Sequence, residues 1–396
     1  MSDTKENSSA ALTLDLWTYS RGEGLVCSNG KKWERNRKLL TPAFHFNILS
    51  GYVSVMNEVV DTLMDKLETA TTDGKSVDIF PFTCRSALDA IVSCSLSYEG
   101  NFQDYQNLDY INAIQRILEI ESLRYSKPWQ MIDSLFYLSS TGQELKRLCK
   151  TTTDFSENII KTRTKDLKCH HDLKEKRHLD FLDILLTARD EQGNGLTFEE
   201  IHDEVNTITA AGFDTTACTI GWTVYALGLW EMVFQDVCGV LGDETDIKTK
   251  HLGKFSYLTQ FVKETMRFYS PVPVLTRRNE HPIELDGYEI PTGCSINIQS
   301  YLIHHNKHVW TDHNEFKPEW FDAENRDDNA IYGFLPFSVG SRNCIGQVFA
   351  MNEVKMTIAK LVKKFEIVKD PDHETDLRPE IVMRPSNGIK VFLKKR

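Results

Sequence analysis

The sequence lacks several features that would each have pointed to a particular class of protein. It has no internal repeat, and its nine cysteines include no Cys-x-x-Cys pair. The first 24 residues are polar and contain neither a signal-peptide core nor an apolar run of about 18 residues. The cysteines are scattered and their total is odd, which argues against a disulfide framework and favours a reducing compartment. As written, the chain is expected to carry no membrane span of its own.

Positive charge is also scarce. The 396 residues carry a net charge of -11, with 46 Lys and Arg against 57 Asp and Glu, so the global balance does not favour a nucleic-acid partner. A hydrophobic content of 41% is enough for a large core, in one large domain or two smaller ones.

The sequence pattern predicts a mainly α, α+β protein. Residues 1–12 are polar and predict a disordered tail, and residues 13–396 predict one domain. Thr197 and Glu200 form a capping box before a long helix, and another helix is expected over about 255–269. From Pro271 onward, prolines and glycines separate short strands, with hairpin signals at Asp286-Gly287 and Asn387-Gly388.

The stretch "FSVGSRNCIG" (337–346) places Cys344 just before an amphipathic helix. Unpaired N–H groups at a helix N-terminus favour a thiolate over a thiol. Gly340 permits a turn at positive φ, Gly346 leaves room for a flat group, and Arg342 can pair with carboxylates or phosphates. Five such positions, beginning with Phe337, should coincide by chance in roughly one chain of this size in 10⁴. A merely structural cysteine is therefore disfavoured.

A second unusual stretch is "AAGFDTTA" (210–217), inside the long predicted helix. Gly212 and the threonines are poor choices for a helix interior, and a threonine hydroxyl can bond back to the preceding turn and bend the helix. A buried helix with a polar edge would explain the pattern. A groove in which Asp214 and Thr215 relay protons would explain it as well.

These motifs occur in the order found in the cytochrome P-450 family, and the chain resembles that family from about residue 15 to its end. The cysteine stretch matches the pattern FxxGxRxCxG, which implies a haem-thiolate monooxygenase with haem b held by Cys344 as axial ligand. Arg342 is then expected at a haem propionate, with Phe337 and Gly346 beside the haem. "AGFDT" matches the oxygen groove, which implies Gly212 beside the haem and Asp214 and Thr215 as catalytic residues.

The resemblance extends to three further segments. Trp33 and Arg37 match a WxxxR helix, and Arg277 matches a third arginine; all three are expected at the propionates. The "ETMR" segment (264–267) matches the structural ExxR pair, which a third arginine usually completes. That arginine is replaced by Trp320 in "KPEWF", so either Arg326 substitutes for it or the network is incomplete.

Other stretches, such as "RNCIGQVFAMNEVK" and "RPSNGI", resemble the family 4 branch, which is the fatty-acid omega-hydroxylase type. That likeness implies hydroxylation of a lipophilic substrate, a fatty acid near its terminal carbon, at the cytosolic face of the endoplasmic reticulum membrane. Ala211 stands where many members of the branch carry a glutamate that attaches haem covalently, so covalent attachment is not expected. The chain begins barely upstream of Trp33, which predicts that early N-terminal elements and the membrane anchor are missing.

The expected electron donor is NADPH–cytochrome P-450 reductase, with cytochrome b5 as a further candidate partner. Two basic clusters are expected to border its docking face. Their members are Lys31, Lys32, Arg35, Arg37 and Lys38 in the first, and Lys355, Lys360, Lys363 and Lys364 in the second.

Three alternatives stay open from the sequence alone. The chain could be an inactive or haem-free fragment of such an enzyme, as its short N-terminus and Trp320 would suggest. It could be a haem-thiolate isomerase that needs no reductase, although the acid–alcohol pair argues against this. His304 and His308 could bind zinc if they lay on one helix, although no HExxH arrangement accompanies them.

Overall fold

The structure is a computed structural model that describes residues 8–9, 22–125, 127–169, 179–227, 231–322, 324, 332–378 and 380–396. Helices dominate this part, which confirms the predicted α-rich class. They are α1 (Gly30–Leu40), α2 (Phe46–Ala70), α3 (Phe80–Leu96), α4 (Leu108–Tyr125), α5 (Asp133–Leu138), α6 (Ser140–Cys169), α7 (Phe181–Thr187), α8 (Phe198–Leu227), α9 (Glu231–Leu241), α10 (Thr249–Leu252), α11 (Ser256–Tyr269), α12 (Ser300–His304) and α13 (Gln347–Lys364).

The strands are short and form small sheets. They are β1 (Ser8–Ser9), β2 (Val77–Asp78), β3 (Leu275–Asn279), β4 (Ile283–Leu285), β5 (Tyr288–Ile290), β6 (Ser295–Ile298), β7 (Phe365–Lys369), β8 (Leu377–Arg378), β9 (Arg384–Pro385) and β10 (Lys390–Lys395). In the described residues the strand orders are β1-β3-β6, β2-β10-β7, β4-β5 and β8-β9. Within the segment 1–12, only β1 is described; the rest of the predicted tail lies outside the described residues.

One of the two predicted hairpins forms. At Asp286-Gly287 both residues have positive φ, and Leu285 pairs with Tyr288 across the turn, as the sequence predicts. The hairpin predicted at Asn387-Gly388 is wrong, because β9 pairs with β8 whereas β10 pairs with β2 and β7. Asn387 instead bonds through its side chain to the backbone of Asp376 and Glu374, so the turn links two sheets.

The chain divides into two compact units. The first comprises Met1–Ile48, Ile91–Ala211 and Thr276–Ile298, and the second comprises Leu49–Ala90, Gly212–Leu275 and Gln299–Arg396. Helix α8 contributes its first half to one unit and its second half to the other. Its predicted capping box is confirmed, since Glu200 N–H donates to the Thr197 hydroxyl and Thr197 N–H donates to the Glu200 carboxylate.

The core of the first unit is aromatic where α4 and α6 pack. Tyr110 stacks on Phe155 with 3.8 Å between ring centroids, and Phe102 packs against both rings. In the second unit, Trp222 of α8 stacks on Tyr269 of α11 at 4.7 Å, and its indole N–H donates to the carbonyl of Met383. That bond fixes the residue before β9 against α8.

Helix α13, which follows the cysteine stretch, is less amphipathic than its sequence suggests. Val348 is 46% exposed, whereas every residue from Glu353 to Val362 is buried. Lys355 and Lys360 are included because their ammonium groups reach out to the Leu252 carbonyl and the Asp61 carboxylate. Hydrophobic periodicity underestimates the burial of such a helix, because the aliphatic stems of lysine side chains can be buried.

A buried ion pair joins the elements of the second unit that lead to the cysteine stretch. Glu264 and Arg267 of α11 are both 0% exposed, and Arg267 Nε and Nη2 donate to the two carboxylate oxygens at 2.7 Å. The remaining guanidinium donors reach the carbonyls of His304, His313 and Glu315 at 2.8–3.1 Å. A buried charge pair is favourable only when its other polar groups are satisfied in this way.

The network is complete in the described residues without a third arginine. The backbone N–H of Lys317 donates to Glu264 Oε1 at 2.7 Å. Trp320 lies edge-on against Trp310, whose ring in turn faces the Arg267 guanidinium at 5.3 Å. Arg326, the substitute considered from the sequence, lies outside the described residues. The Trp320 departure therefore leaves the carboxylate fully bonded.

No single described helix is long and apolar enough to span a bilayer; α8 and α9 meet that test only when taken together as a bent pair.

Removing one charge of this pair is expected to destabilise the fold strongly. Arg267→Ala leaves the Glu264 carboxylate buried without its partner and should lower the free energy of unfolding by about 3–5 kcal/mol. Urea denaturation followed by circular dichroism measures this. Arg116→Ala is the matched control, because Arg116 binds Glu144 and Glu119 at an exposed site and should cost only about 0.2–1 kcal/mol. Equal losses for both variants would contradict the assignment.

Candidate functional site

The loop before α13 presents Cys344 at the surface of the second unit. Gly340 has the predicted positive φ of 80°, and Ser338 adopts a positive φ of 60° that the sequence did not predict. The loop is closed by the N–H of Cys344, which donates to the carbonyl of Phe337 at 2.9 Å. Gly346 then caps α13, whose first intrahelical bond runs from Ala350 N–H to the Gly346 carbonyl. The thiol therefore lies two residues before a helix N-terminus.

Cys344 differs from the other cysteines. Of the eight that the structure describes, it alone is exposed, and no disulfide joins any of them. Burial raises the pKa of Cys84 to about 12 and that of Cys218 well above its usual value, so both remain protonated thiols. Only a thiolate can serve as an anionic metal ligand. The donor chemistry of the described cysteines therefore fits an iron-bound thiolate at Cys344.

The loop is connected to the buried ion pair through His304. The N–H of Leu335 donates to His304 Nε2 at 2.8 Å, and His304 Nδ1 lies 2.7 Å from the Ser270 hydroxyl. Burial lowers the pKa of His304 to about 3, so the ring is neutral and the Nδ1 proton is donated to Ser270. The His304 carbonyl accepts from Arg267. Bonds thus run from the ion pair to the start of the cysteine loop.

The zinc alternative is excluded by the same geometry. Helix α12 ends at His304, His308 lies beyond it and is exposed, and both nitrogens of His304 are already bonded. Within the described residues no group of three or more histidine, cysteine or acidic side chains could hold a metal ion.

Asp214 of α8 lies in the second unit and is bound by an arginine that sequence reasoning missed. Arg384 Nη2 donates to Asp214 Oδ1 at 2.7 Å, and both side chains are largely buried. Arg384 begins β9, where the Trp222 bond to Met383 holds the backbone one residue earlier. The two partners are 170 residues apart in the sequence, so no spacing rule could have paired them.

Thr215 follows Asp214 in an unbroken part of α8. Its carbonyl accepts from the hydroxyl of Thr219, one turn later, and the Thr219 carbonyl accepts from Thr223. Back-bonding of threonines to the preceding turn occurs at Thr219 and Thr223, beyond the stretch for which it was expected, whereas the buried hydroxyl of Thr216 makes no hydrogen bond to any described residue. The acid and the alcohol of the predicted pair are adjacent on a single rigid element, which Gly212 precedes.

Three of the four residues predicted for the propionates lie on two elements of the first unit. Trp33 is buried and Arg37 is half-buried, both on α1. Arg277 is half-buried on β3, where its guanidinium bonds the Thr276 carbonyl. In the second unit, Arg342 and Phe337 are half-buried in the cysteine loop.

Several members of the two basic clusters pair with neighbouring carboxylates. On α1, Arg35 bonds Asp190 and Glu200 at 2.9 Å. The remaining contacts are Lys32 with Glu23, Lys38 with Glu191, Lys360 with Asp61, and Lys364 with Asp65 and Glu68. Lys355 is buried. A high local density of lysine and arginine in the sequence therefore does not translate into an exposed basic face of equal charge.

Comparison with known proteins identifies the class. The cytochrome P450 family model matches residues 2–392. The crystal structure of the cytochrome P450DA heme domain is similar in fold, with a TM-score of 0.87 and 22% identity over 99% of this chain and 85% of that one. The chain belongs to the cytochrome P450 family, whose members are haem-thiolate monooxygenases. The predicted cytochrome P-450 fold is confirmed.

Sequence relatives indicate which branch of the family the chain resembles. Cytochrome P450 4A2 from Rattus norvegicus is 37% identical over 383 residues, which cover 94% of this chain and 76% of the relative. Cytochrome P450 4B1 from the same organism is 35% identical over 97% of this chain and 77% of its own length. The taurochenodeoxycholic 6 alpha-hydroxylase of Sus scrofa is 37% identical, with coverage of 94% and 76%. Resemblance to the family 4 branch is confirmed.

Arg384 and Asp214 are expected to be energetically coupled. Arg384→Gln should lower the free energy of unfolding by about 3–5 kcal/mol, since the Asp214 carboxylate is left buried without its partner. The double variant Arg384→Gln/Asp214→Asn should lose much less than the sum of the single losses, with a coupling energy of about 1 kcal/mol or more. Urea denaturation of the four proteins in the cycle gives this energy, and additive losses would contradict the ion pair.

Proposed function

We propose that this chain is a haem-thiolate monooxygenase that hydroxylates a lipophilic substrate, a fatty acid near its terminal carbon. The observation that carries the proposal is the exposure of Cys344, alone among the described cysteines, on a loop closed at Phe337 and followed by a helix N-terminus. The fatty-acid assignment is supported by similarity to relatives of the family 4 branch. Members of the family act on lipophilic substrates and take electrons from redox partners.

In this proposal haem b would be held by the thiolate of Cys344. Its propionates would be bound by Arg342, Arg277, Arg37 and Trp33, three guanidinium groups and one indole N–H that match anionic oxygen acceptors. Phe337, Gly212 and Gly346 would border the haem, and the two glycines present no side chain to it. When bound, the haem supplies the activation of dioxygen that no amino-acid side chain can supply.

The chain's own catalytic contribution is proton delivery. Asp214 relays protons through its carboxylate, and Thr215, the next residue on α8, passes them on through its hydroxyl. Arg384 fixes the carboxylate orientation through its bond to Asp214 Oδ1. Because α8 is helical on both sides of the pair, neither side chain depends on a loop for its position.

The electron donor in this proposal is NADPH–cytochrome P-450 reductase, with cytochrome b5 as a further candidate. The chain acts at the cytosolic face of the endoplasmic reticulum membrane. Ion pairing within the basic clusters leaves only part of their charge for docking, so steering by these two helices is modest.

The proposal is tested with the full chain, purified reductase and NADPH. Saturated fatty acids of graded chain length are supplied, and hydroxylated products are identified by mass spectrometry. We expect an NADPH-dependent hydroxy acid with the hydroxyl near the methyl end. Hydroxy acid that forms equally without NADPH would contradict the reductase-dependent reaction, and a haem-free chain without product would favour an inactive fragment.

Asp214→Asn is expected to lower the rate of product formation at least 100-fold, because general acid–base groups contribute about 10²–10⁴ in rate. The haem content per chain should be unchanged, which absorbance and pyridine-haemochrome assays determine. Thr216→Val on the same turn is the matched control and should retain wild-type turnover. A wild-type rate in Asp214→Asn would remove the proton-delivery role.

A further inference from the structure

A fully buried carboxylate bonds helix α1 to helix α8 within the first unit, in addition to the partly exposed Arg35–Glu200 ion pair between the same helices. Glu204 of α8 is 0% exposed. Its Oε2 accepts from the backbone N–H of Leu25, in the segment that leads into α1, at 3.0 Å. Its Oε1 accepts from the side-chain amide of Asn36, on α1 itself, at 3.1 Å. One side chain thus bonds both the approach to the helix and the helix.

The bond to Asn36 acts on the buried face of α1. Trp33, Asn36 and Leu40 are the buried residues of this helix, and Asn36 is 0% exposed. Residues three and four apart share a helix face, so Asn36 lies between Trp33 and Leu40 on that face. Because the two neighbours are apolar, a directional bond at Asn36 fixes the rotation of α1 about its axis, which apolar packing alone determines less strictly.

We propose that Glu204 is the positioning residue for α1, and that it holds Trp33 and Arg37 in the orientation that haem propionates require. The role of Trp33 and Arg37 in this inference rests on the proposed function. The link itself, meaning the hydrogen bonds from Leu25 and Asn36 to Glu204, does not. Glu204 lies on α8 ahead of the Asp214–Thr215 pair. The helix that delivers protons would therefore also anchor the helix that binds the propionates.

The link is expected to depend on pH. Burial raises the pKa of Glu204 to about 7, with Asp203 on the same helix adding to the effect. The opposing influences are the Leu25 N–H, the Asn36 amide and Lys32 of α1, which itself contacts Glu23. Because the pKa is raised when Glu204 is buried against Leu25 and Asn36, protonation favours this bonded arrangement. The link is therefore strongest below the ordinary pKa of a glutamate and weakens as pH rises through about 7.

Protonation need not break the bond to Asn36. The side-chain oxygen of Asn36 is buried and accepts no hydrogen bond in the described structure. If the Asn36 amide turns over, this oxygen can accept from a protonated Glu204, while the other Glu204 oxygen keeps the Leu25 N–H. A glutamine at position 204 offers the same donor and acceptor, which makes it the conservative variant.

The link is tested by hydrogen–deuterium exchange of the peptide that covers α1, measured by mass spectrometry on the full chain. Glu204→Ala leaves two buried donors without acceptors and should speed exchange of the α1 amides about 10- to 100-fold. Glu204→Gln should restore protection. Glu199→Ala is the matched control, since Glu199 is an exposed carboxylate of the same helix and its loss should not change α1 exchange.

The pH arm separates positioning from general stability. After correction for intrinsic exchange, the wild-type α1 amides should exchange about tenfold faster at pH 8 than at pH 6 if Glu204 titrates near 7. Glu204→Gln should show no such change. Wild-type protection of α1 in Glu204→Ala, or the same pH dependence in Glu204→Gln, would overturn the proposal.

Haem transfer to apomyoglobin tests whether the link affects haem binding. Transfer of haem to excess apomyoglobin should be about tenfold or more faster from Glu204→Ala than from the wild type, and Glu204→Gln should resemble the wild type. Equal rates for all three would overturn the propionate role of the link. If the wild type bound no haem, the proposed function would fail, while the exchange comparison would still decide whether Glu204 holds α1.

Discussion

The buried ion pair between Glu264 and Arg267 is the constraint on which the presentation of Cys344 depends. Two opposite charges without solvent exposure are tolerable only if every remaining donor and acceptor is satisfied, and here the partners are backbone groups at 304, 313, 315 and 317. The ion pair thereby dictates the path of a segment with little secondary structure. His304 continues that path to Leu335, where the cysteine loop begins.

The same arrangement explains why the replacement of an expected arginine by Trp320 is tolerated. One Glu264 oxygen accepts the backbone N–H of Lys317 in place of a further guanidinium. The tryptophan packs against Trp310, which covers the Arg267 guanidinium from one side. The position thus contributes aromatic packing rather than a charge.

Two of the buried carboxylates on helix α8 have different roles. In the first unit Glu204 bonds the segment around α1, and in the second unit Asp214 bonds Arg384. A long helix is well suited to both, because its backbone bonds are internal and its side chains can meet partners from several distant segments. Neither carboxylate is explained by the helix's own pattern, and both have partners more than 160 residues away in the chain.

Features set by local chemistry could be predicted from the sequence. The capping box at Thr197, the Asp286-Gly287 turn and the positive φ of Gly340 each follow from residues within a few positions of one another. Features set by distant partners could not. The Asn387-Gly388 turn has a hairpin sequence, but strand β10 is paired to β7 and β2 by tertiary contacts. The burial of Lys355 and the Arg384–Asp214 bond were missed for the same reason.

The residues of the candidate site can also be separated into those that local sequence identifies and those that only distant partners identify. Cys344 stands out because glycine, arginine and a following helix surround it within ten residues, and its exposure agrees with that context. Arg384 and Glu204 have no comparable local pattern, and only the folded arrangement brings them to Asp214 and to α1. Roles that rest on electrostatic and hydrogen-bonded support are therefore the ones that sequence reasoning is least able to find.

The most direct test of the account is the carbon-monoxide difference spectrum of the reduced, expressed chain, compared with Cys344→Ser. The account predicts a Soret band shifted strongly to the red, typical of thiolate-ligated haem, and its loss in Cys344→Ser with the fold retained. Cys294→Ser, at a partly buried cysteine directly before β6, should leave the band unchanged. A band at the position of a neutral-ligand haem, or a red-shifted band that survives in Cys344→Ser, would contradict the assignment of Cys344 as the ligand.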